Sequence, residues 1–263
     1  MGTHSPIATG ELTHHGIRAK SPISEACSRL CGLVRSRVMG NQERVRKPAG
    51  LSSHEQKQVV RQGYDRLSHS YRADSTPDGY QDYAEWIGLL VDRLPDRASV
   101  LDMGCGCGLP ATRLLAEQFD VTGVDFSQVQ IERAKGLVPS ARFLCCDVSE
   151  VAFPPGSYDA VVSFYAIIHM PLDEHPKLFA SITRWLRPSG YFLATVGHDA
   201  WTGTDDAYLN VPGGKMAWSH ADEATNLRWL KGVGLHVHWT RFAPEGDRGH
   251  TLVLAQKPPA KDS

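Results

Sequence analysis

The chain of 263 residues lacks a hydrophobic run that could cross a lipid bilayer, and it lacks the usual start of a secreted protein. No apolar stretch reaches the ~18 residues that a transmembrane helix needs. Residues 1–20 contain no apolar block either, because histidine, arginine and lysine recur there. Six cysteines scattered over this length are too sparse for a disulfide framework. We therefore expect a cytoplasmic protein with no membrane partner.

The chain also lacks the overall basic charge that nucleic-acid enzymes use to bind phosphates. Residues 1–50 hold eight lysines and arginines against three acidic residues, a balance of +5, which leaves −6 for the rest of a chain whose formal charge is −1. This acidic body predicts no nucleic-acid partner. The basic segment has little apolar periodicity, and we expect residues 1–50 to be a mobile tail.

What the sequence does contain, after the tail, is helical periodicity. Apolar residues recur with helical spacing from Ser52 to about Ala73 and again from about Tyr80 to Leu94. Ser52 or Ser53 is a suitable N-cap for the first helix, and a proline follows the second. These patterns predict a helical cap over residues 51–96.

From Ser99 onward, strand-like apolar runs alternate with helical patterns, which is typical of a parallel sheet with crossover helices. The predicted strands are Ser99–Asp102, Val121–Val124, Ala141–Cys145, Ala160–Ser163, Tyr191–Val196, Leu235–Phe242 and Thr251–Gln256. The predicted helices between them are Pro110–Gln118, Gln128–Lys135 and Glu174–Trp185, the last followed by a turn at Pro188–Gly190. The last two strands have no helix between them, so the final strand should run antiparallel. We predict an α/β fold over residues 97–258: a doubly wound, Rossmann-like, mostly parallel seven-stranded sheet behind a helical N-terminal cap.

The first strand runs into a glycine-rich loop, VLDMGCGCGLPATRLL at Val100–Leu115. Its glycines, Gly104, Gly106 and Gly108, allow a ligand to lie against backbone that a side chain would block. The helix that follows presents unpaired N–H groups suited to an anionic group such as a carboxylate. The loop therefore predicts a binding site at the carboxyl ends of the strands.

Acidic residues end the next two strands. Asp125 follows the loop at about the 20-residue spacing at which a carboxylate binds ribose hydroxyls. Asp147 ends the third strand, where it can accept a hydrogen bond from a purine amine, and ordinary helix capping is the structural alternative. Together with the loop, these residues predict a nucleoside site.

Other nucleotide and metal sites fit the sequence less well. The glycine spacing is Gly-x-Gly-x-Gly rather than that of a nicotinamide site, and a phosphate-binding loop needs a lysine where Leu109 stands. Zinc sites favour cysteines separated by two or more residues, which the pairs Cys105 with Cys107 and Cys145 with Cys146 do not provide. We expect no metal.

Several segments resemble class I S-adenosylmethionine-dependent methyltransferases, especially the small-molecule branch with quinone-biosynthesis and natural-product enzymes. The matching segments are LDMGCGCG, GVDFS at Gly123–Ser127, CCDV at Cys145–Val148, YDAVVSFYAIIHMP at Tyr158–Pro171 and LRPSGYFLAT at Leu186–Thr195. The resemblance implies S-adenosyl-L-methionine as cofactor. The cofactor-binding residues that it implies are Asp102, Gly104, Cys105 and Gly106 at the methionine end, Asp125 at the ribose, Phe126, Asp147 and Val148 at the adenine, Ser163 and Phe164 near the amino acid moiety, and Tyr64 and Tyr71 closing over the cofactor.

Three histidines are candidates for chemistry at the acceptor. His169 follows the fourth strand, where the donor methyl group should project, and its imidazole can take a proton near neutral pH. Packing of the cleft wall is an equally good interpretation of His169. His198 ends the fifth strand, and His220 lies in a segment that we interpret as a lid strand leading into a helix. For His198 and His220, structural or substrate-orienting roles are favoured over catalysis.

Residues 198–230 form an insertion that we expect to be a substrate lid. Its tryptophans Trp201 and Trp218, with Tyr208 and with Tyr165 after the fourth strand, can form walls for an apolar or aromatic acceptor. Filling of the insertion's own core is the structural alternative for some of these rings.

The sequence therefore predicts an enzyme that transfers a methyl group from S-adenosyl-L-methionine to an O, N or C atom of a small organic molecule by in-line displacement. The alternative is a non-methylating cyclase or lyase that binds the same cofactor. A macromolecular methyltransferase recruited by the basic tail is less favoured. DNA methyltransferases of the family carry an acidic or polar residue and two prolines after the fourth strand, and Ser163–Ala166 lacks this pattern.

Overall fold

A computed structural model of the protein describes residues 50–75 and 80–260. Apart from Gly50, the predicted basic tail lies outside these residues. Two helices come first, α1 (Ser53–Tyr71) and α2 (Tyr80–Val91). Ser52 caps α1: its hydroxyl accepts from the Glu55 N–H, and the Glu55 carboxylate accepts from the Ser52 N–H at 2.8 Å. Both predicted cap helices are therefore present.

The rest of the described chain alternates strands and helices before it ends in two consecutive strands. The elements are β1 (Ser99–Met103), α3 (Ala111–Leu115), β2 (Asp120–Asp125), α4 (Gln128–Leu137), β3 (Arg142–Cys145), β4 (Tyr158–Ser163), α5 (His175–Trp185), β5 (Leu186–Gly197), β6 (Trp201–Asp205), β7 (Met216–His220), α6 (Glu223–Gly232), β8 (His236–Glu245) and β9 (Arg248–Gln256). Seven of the strands form one sheet in the order β3-β2-β1-β4-β5-β9-β8. Strands β1 to β5 pair in parallel, and β9 runs antiparallel to both of its neighbours. The predicted fold class is confirmed.

The strands of the sheet centre are buried on both faces, and alternate residues feed two separate cores. Leu101 and Val161 pack with Trp185 of α5 on one face. Val100 and Val162 point to the other face and pack with Ile87 of α2 and its neighbours. This period of two follows from the pleat, which sends successive side chains to opposite faces. It leaves the carboxyl ends of β1 to β4 aligned along one edge of the sheet.

Several predicted boundaries differ from the structure by a few residues, and the largest differences concern the helix after the glycine loop and strand β5. The helix after the glycine loop spans only Ala111–Leu115 rather than Pro110–Gln118. The predicted turn at Pro188–Gly190 lies inside β5. Ser189 takes a left-handed conformation there, at φ 63°, and the chain continues in the sheet beyond it. The pairing register with β4 shifts at this end of β5, which is the behaviour of a bulge.

The insertion after β5 folds as a hairpin followed by a helix. Strands β6 and β7 pair antiparallel as a separate two-stranded sheet, and α6 leads from them back to the main sheet. The segment interpreted as a strand leading into a helix has this structure. Among residues 50–75 and 80–260, no helix combines the length and the apolar character of a membrane span.

Candidate active site

The glycine-rich loop after β1 has a backbone conformation that does not accommodate side chains at its glycines. Gly104, Gly106 and Gly108 have φ values of 73°, 54° and 81°. A Cβ atom on Gly104 would lie 2.2 Å from the Cβ of Ala166, which is far inside van der Waals contact. The N–H groups of Gly104 and Cys105 donate to the Val124 carbonyl at 2.8 and 3.0 Å. The loop is thus held against the end of β2 by its own backbone.

Asp125, at the end of β2, is fixed by the same loop. Its Oδ2 accepts from the Gly106 N–H at 3.0 Å, and its Oδ1 accepts from the Ser127 N–H at 2.9 Å. Burial raises the pKa of Asp125 to about 6, although these backbone hydrogen bonds oppose the shift. Each carboxylate oxygen keeps a further lone pair, so the group can still accept from a ligand hydroxyl.

Asp102 lies beneath the loop and is 1% exposed. Its Oδ2 accepts from the Thr112 hydroxyl at 2.6 Å. Burial raises the pKa of Asp102 to about 7, and the Thr112 hydrogen bond lowers it less than burial raises it. The carboxyl group borders a small hollow at the loop that Gly104, Cys105 and Gly106 also line. A positively charged ligand group placed there would stabilise the ionised form of Asp102.

Asp147, after β3, is already held by neighbouring side chains. Its Oδ2 lies 2.9 Å from Lys57 Nζ, and its Oδ1 accepts from the Ser149 N–H and hydroxyl, both at 2.8 Å. Burial raises the pKa of Asp147, but the hydrogen bonds from Lys57 and Ser149 outweigh it and lower the pKa overall. Lys57 also contacts Glu174 at 2.7 Å. The structure therefore fixes Asp147 as an ionised acceptor at the edge of the cavity.

One cavity connects the glycine loop, Asp125 and Asp147. It holds about 780 Å³ of empty space, part of it open to solvent, and lies under α1 at the carboxyl ends of β1 to β4. This size is within the range of small-molecule sites. The predicted site residues that line it are Tyr64, Tyr71, Gly104, Gly106, Asp125, Phe126, Asp147, Val148, Phe164, Tyr165 and His169.

His169 and Tyr64 form a hydrogen-bonded pair in the wall of the cavity. His169 Nδ1 lies 2.8 Å from the Ala217 carbonyl, and Nε2 lies 3.0 Å from the Tyr64 hydroxyl. Because a carbonyl only accepts, Nδ1 carries the hydrogen of the neutral ring and Nε2 accepts from Tyr64. Burial lowers the pKa of His169 to about 4, and the Ala217 hydrogen bond opposes this only in part. His169 is therefore a neutral imidazole with a fixed tautomer at pH 7.

The remaining predicted residues lie outside the lining of this cavity. Ser163 is fully buried and donates to the Met103 carbonyl at 2.9 Å. His198 directly follows the carboxyl end of β5 without lining the cavity, and its Nδ1 contacts Glu223 at 3.1 Å. His220 packs against the backbone of Gly197.

The two predicted tryptophans of the insertion support the cavity rather than line it. Trp218 packs on His169, with ring centroids 5.4 Å apart. Trp201 packs on Trp218 at 5.6 Å. Both rings therefore belong to the hairpin that holds His169 in place.

Some residues of the site were missed by sequence reasoning. Lys57 and Gln56 both lie on α1: Lys57 lines the cavity, and Gln56 donates to the His169 carbonyl at 3.0 Å. Gln130 of α4 also lines the cavity and accepts from the Ser68 hydroxyl at 2.7 Å. A polar residue on the inward face of an amphipathic helix is the signal that singles out Gln56, which is 7% exposed.

The cysteines of the motifs take no part in a metal cluster within the described residues. Cys105 and Cys107 are buried beside the loop, and Cys145 is exposed at the end of β3. Burial raises the pKa of the Cys105 thiol well above its ordinary value, which keeps it protonated.

The known sequences that this chain matches below are methyltransferases. Residues 100–190 match a family described as "Methyltransferase domain". The 2-methyl-6-phytyl-1,4-hydroquinone methyltransferase of Synechocystis is 38% identical over 128 residues, which cover 47% of this chain and 37% of that protein. The sterol 24-C-methyltransferase of Neurospora crassa is 30% identical over 210 residues, covering 72% of this chain and 54% of that protein. The chain thus spans about half or less of the length of these curated relatives.

Solved structures share the fold. The 1,6-didemethyltoxoflavin-N1-methyltransferase of Burkholderia thailandensis, crystallised with 1,6-didemethyltoxoflavin and S-adenosylhomocysteine, superposes with a TM-score of 0.65 at 19% identity, over 83% of this chain and 97% of that one. The glycine cradle and the half-buried Asp125 fit an aminoacyl nucleoside cofactor of this kind. The matched segment, residues 100–190, is therefore a methyltransferase domain by its sequence, and the sheet around it has the fold of class I S-adenosylmethionine-dependent methyltransferases.

Proposed function

We propose that the protein transfers a methyl group from S-adenosyl-L-methionine to an O, N or C nucleophile of a small organic molecule. The observation that carries this proposal is the single cavity joining the glycine loop, Asp125 and the Tyr64–His169 pair. It provides a nucleoside site at one end and a proton-accepting pair at the other. When bound, the cofactor supplies an electrophilic methyl group on a sulfonium.

The residues of the sheet edge hold the cofactor in this proposal. The backbone at Gly104 and Gly106 cradles the amino acid end, and Asp102 beneath it faces the ammonium group. Asp125 accepts from the ribose hydroxyls with the lone pairs that its two backbone contacts leave free. Phe126 and Val148 line the cavity and would contact the adenine.

Asp147 orients the adenine by accepting from its exocyclic amine. Three hydrogen bonds from Lys57 and Ser149 already fix the carboxylate, which removes the rotational freedom that binding would otherwise cost. Since Lys57 belongs to α1, the same contact also holds the cap closed over the cofactor.

The Tyr64–His169 pair accepts the acceptor's proton where the chemistry requires it. Nε2 of His169 carries the lone pair, and the Tyr64 hydroxyl donates to it at 3.0 Å. A hydroxyl of the acceptor that donates to the Tyr64 oxygen can lose its proton to Tyr64 while Tyr64 passes its own proton to Nε2, as the acceptor oxygen attacks the methyl group. The fixed tautomer, set by Ala217, keeps this nitrogen available. The rest of the rate enhancement comes from alignment of the reacting atoms.

The proposed cofactor site is tested with Asp125→Asn, which preserves size and one acceptor oxygen. Isothermal titration with S-adenosylhomocysteine should show affinity weakened by at least about tenfold, because two ribose hydroxyls lose a charged acceptor. The matched control is Asp120→Asn at the opposite end of β2, which should bind as the unaltered protein does. Equal affinities for all three proteins would remove the ribose contact.

Methyl transfer itself is tested with a labelled donor. Incubation of the protein with methyl-labelled cofactor and metabolite extracts should yield a product heavier by one labelled methyl group. A product without label would instead indicate the cyclase or lyase alternative.

A further inference from the structure

A second hollow, which we call the rear groove, lies between the start of α1, the segment that joins β4 to α5, the β6–β7 hairpin and the start of α6. It holds about 1280 Å³ of empty space, part of it open to solvent. Among the described residues that line it, Pro171 alone also lines the cofactor cavity. The rear groove is therefore a separate surface, which the proposed cofactor and the proposed proton transfer do not use.

The wall of the rear groove contains the residues that hold His169. The Ala217 carbonyl accepts from His169 Nδ1 at 2.8 Å, and the Gln56 side chain donates to the His169 carbonyl at 3.0 Å. The Trp218 ring packs on the His169 ring, with centroids 5.4 Å apart. Ala217, Gln56 and Trp218 all line the rear groove. Whatever occupies the groove therefore packs directly against the supports of His169.

The described chain begins in this groove. Gly50 and Leu51 line it, and Leu51 packs against the cluster that contains Met216 and Ala217 of β7. Residues 44–49, which lie outside the described residues, continue directly from Gly50 and can extend at most about 22 Å from it. A segment attached at the edge of a groove has a high effective concentration there, so weak contacts are enough to hold it.

The groove and this segment carry opposite charges. Asp173 and Asp222 are the charged residues among the described residues of the lining. The sequence of residues 44–49 is Arg-Val-Arg-Lys-Pro-Ala, with three positive charges and no negative charge. Because opposite charges attract each other across a partly exposed groove, the segment suits this surface.

The two carboxylates of the groove differ in their other contacts. Asp173 accepts from the Ser53 hydroxyl at 3.1 and 3.3 Å, and this neutral donor does not cancel its charge. Asp222 caps α6 by accepting from the Thr225 N–H at 2.8 Å, and Arg228 donates to the Thr225 hydroxyl at 2.9 Å. Since Arg228 places a positive charge near Asp222, Asp173 is the stronger attachment point for a basic side chain.

The lining also offers apolar surface. Trp229, Leu172 and Trp218 line the groove, and Trp218 is half-buried. The segment contains Val45 and Pro48 beside its basic residues. Burial of such side chains against the rings adds a contribution that salt does not screen.

We propose that residues 44–49 of this chain occupy the rear groove, with Arg46 and Lys47 directed towards Asp173, and that they stabilise the hairpin that positions His169. The occupied groove restricts movement of β7, which carries the Ala217 carbonyl that sets the tautomer of His169. This proposal depends on the contacts of His169 and not on the reaction that the protein catalyses.

Hydrogen exchange of the whole 263-residue chain, measured by mass spectrometry, tests the docking without a ligand. In the double variant Arg46→Glu/Lys47→Glu, amide exchange in peptides from residues 201–220 should rise by roughly three- to tenfold, the size expected from loss of one or two partly exposed ion pairs. Exchange in the peptide that contains β1 should not change. Arg18→Glu/Lys20→Glu is the matched control, because it makes the same charge change earlier in the same basic segment, and it should leave the hairpin as it is in the unaltered protein.

A charge exchange tests the pairing with Asp173. Asp173→Lys alone should raise hairpin exchange as Arg46→Glu/Lys47→Glu does. The triple variant that combines them should return exchange towards that of the unaltered protein, which a merely structural role of either position would not produce.

Each remaining outcome overturns a stated part of the inference. Unchanged hairpin exchange in Arg46→Glu/Lys47→Glu, or an equal rise in the Arg18→Glu/Lys20→Glu control, overturns the docking. No recovery in the triple variant overturns the pairing with Asp173. Hairpin exchange that rises when the unaltered protein is diluted assigns the groove to a second copy of the chain and overturns docking within one chain. Failure of S-adenosylhomocysteine to bind in a parallel titration overturns the proposed function and leaves the docking intact.

Discussion

The floor and the roof of the cofactor cavity are built in different ways. The floor is the glycine loop with the ends of β1 to β3, and it comes from one continuous stretch of about 50 residues, 100–148. Backbone hydrogen bonds such as those from Gly104 and Cys105 to Val124 hold it. The roof is α1 and the β6–β7 hairpin, and it rests on the sheet edge mainly through side chains.

The contacts of the roof join segments that are distant along the chain. Gln56 of α1 donates to the His169 carbonyl, Tyr64 contacts His169 Nε2, and Ala217 of the hairpin accepts from His169 Nδ1. His169 thus ties α1 and the hairpin to the segment after β4. The loop side of the cavity is therefore set by local backbone geometry, whereas the histidine side depends on how separate side chains meet.

The sharpest way to break the floor is Gly104→Ala. The new Cβ would lie 2.2 Å from Ala166 Cβ at a φ of 73°, so the loop must move. We expect loss of S-adenosylhomocysteine binding by at least about a hundredfold, by titration calorimetry, because the cradle no longer fits. Gly136→Ala in α4 is the matched control: nothing lies within 4 Å of its new Cβ, and it should stabilise the protein by roughly 0.5–1 kcal/mol. Unchanged binding in Gly104→Ala would show that the loop does not contact the cofactor.

Breaking the roof should spare the floor. His169→Gln removes the proton acceptor, and we expect the rate of labelled methyl transfer to fall by about 10²-fold or more for an acceptor that must lose a proton. Affinity for S-adenosylhomocysteine should change by only a few-fold, because the floor is intact. The unaltered enzyme should show no loss from His169 protonation until the pH falls towards 4, since burial lowers its pKa to about 4.

His198→Gln is the control for that variant. His198 contacts Glu223 at 3.1 Å and does not line the cavity. The rate of labelled methyl transfer by His198→Gln should therefore remain close to that of the unaltered enzyme. A loss in His198→Gln equal to that in His169→Gln would transfer the catalytic role away from the roof.

Asp102→Asn should have a smaller effect, which separates the contribution of Asp102 to binding from its contribution to the stability of the folded protein. The pKa of Asp102 is raised from 3.8 to about 7 in the folded protein, so folding takes up protons between these values and stability falls as pH rises through that window. Asp102→Asn cannot ionise. Relative to the unaltered protein, it should therefore gain on the order of 2 kcal/mol of unfolding free energy between pH 5 and pH 8, at about 1.4 kcal/mol per pKa unit.

Urea unfolding at the two pH values measures this gain. The control is Asp120→Asn, at a half-buried position paired with Arg97, and its gain between the two pH values should stay within about 0.5 kcal/mol. S-adenosylhomocysteine binding should nevertheless weaken in Asp102→Asn. A gain that is independent of pH would show that the carboxyl group is already ionised at pH 5 in the folded protein, as it is in the unfolded chain.

Much of the fold followed from the sequence. The strands of the sheet and the order of the helices could be predicted, because buried parallel strands are continuous apolar runs and the apolar residues of a helix recur with a period of about 3.6 residues. The Ser52 cap and the antiparallel last strand were predicted from local signals and are confirmed. The end of α3 was not predicted correctly. The course of β5 through Pro188–Gly190 was not predicted either, because strand pairing in the folded sheet overrode the local turn signal.

The site divides along the same line. Spacing and residue type alone singled out the glycine loop, Asp125 and Asp147, since each is defined by its distance along the chain from a predicted strand. The Tyr64–His169 contact joins residues 105 apart in sequence, and the Ala217 contact with His169 joins residues 48 apart. No short-range pattern encodes such meetings. The sequence by itself determined the sheet and the floor of the cavity, because their geometry is local. Only the tertiary structure decided the roof, because side-chain packing between distant segments exists only once the chain has folded.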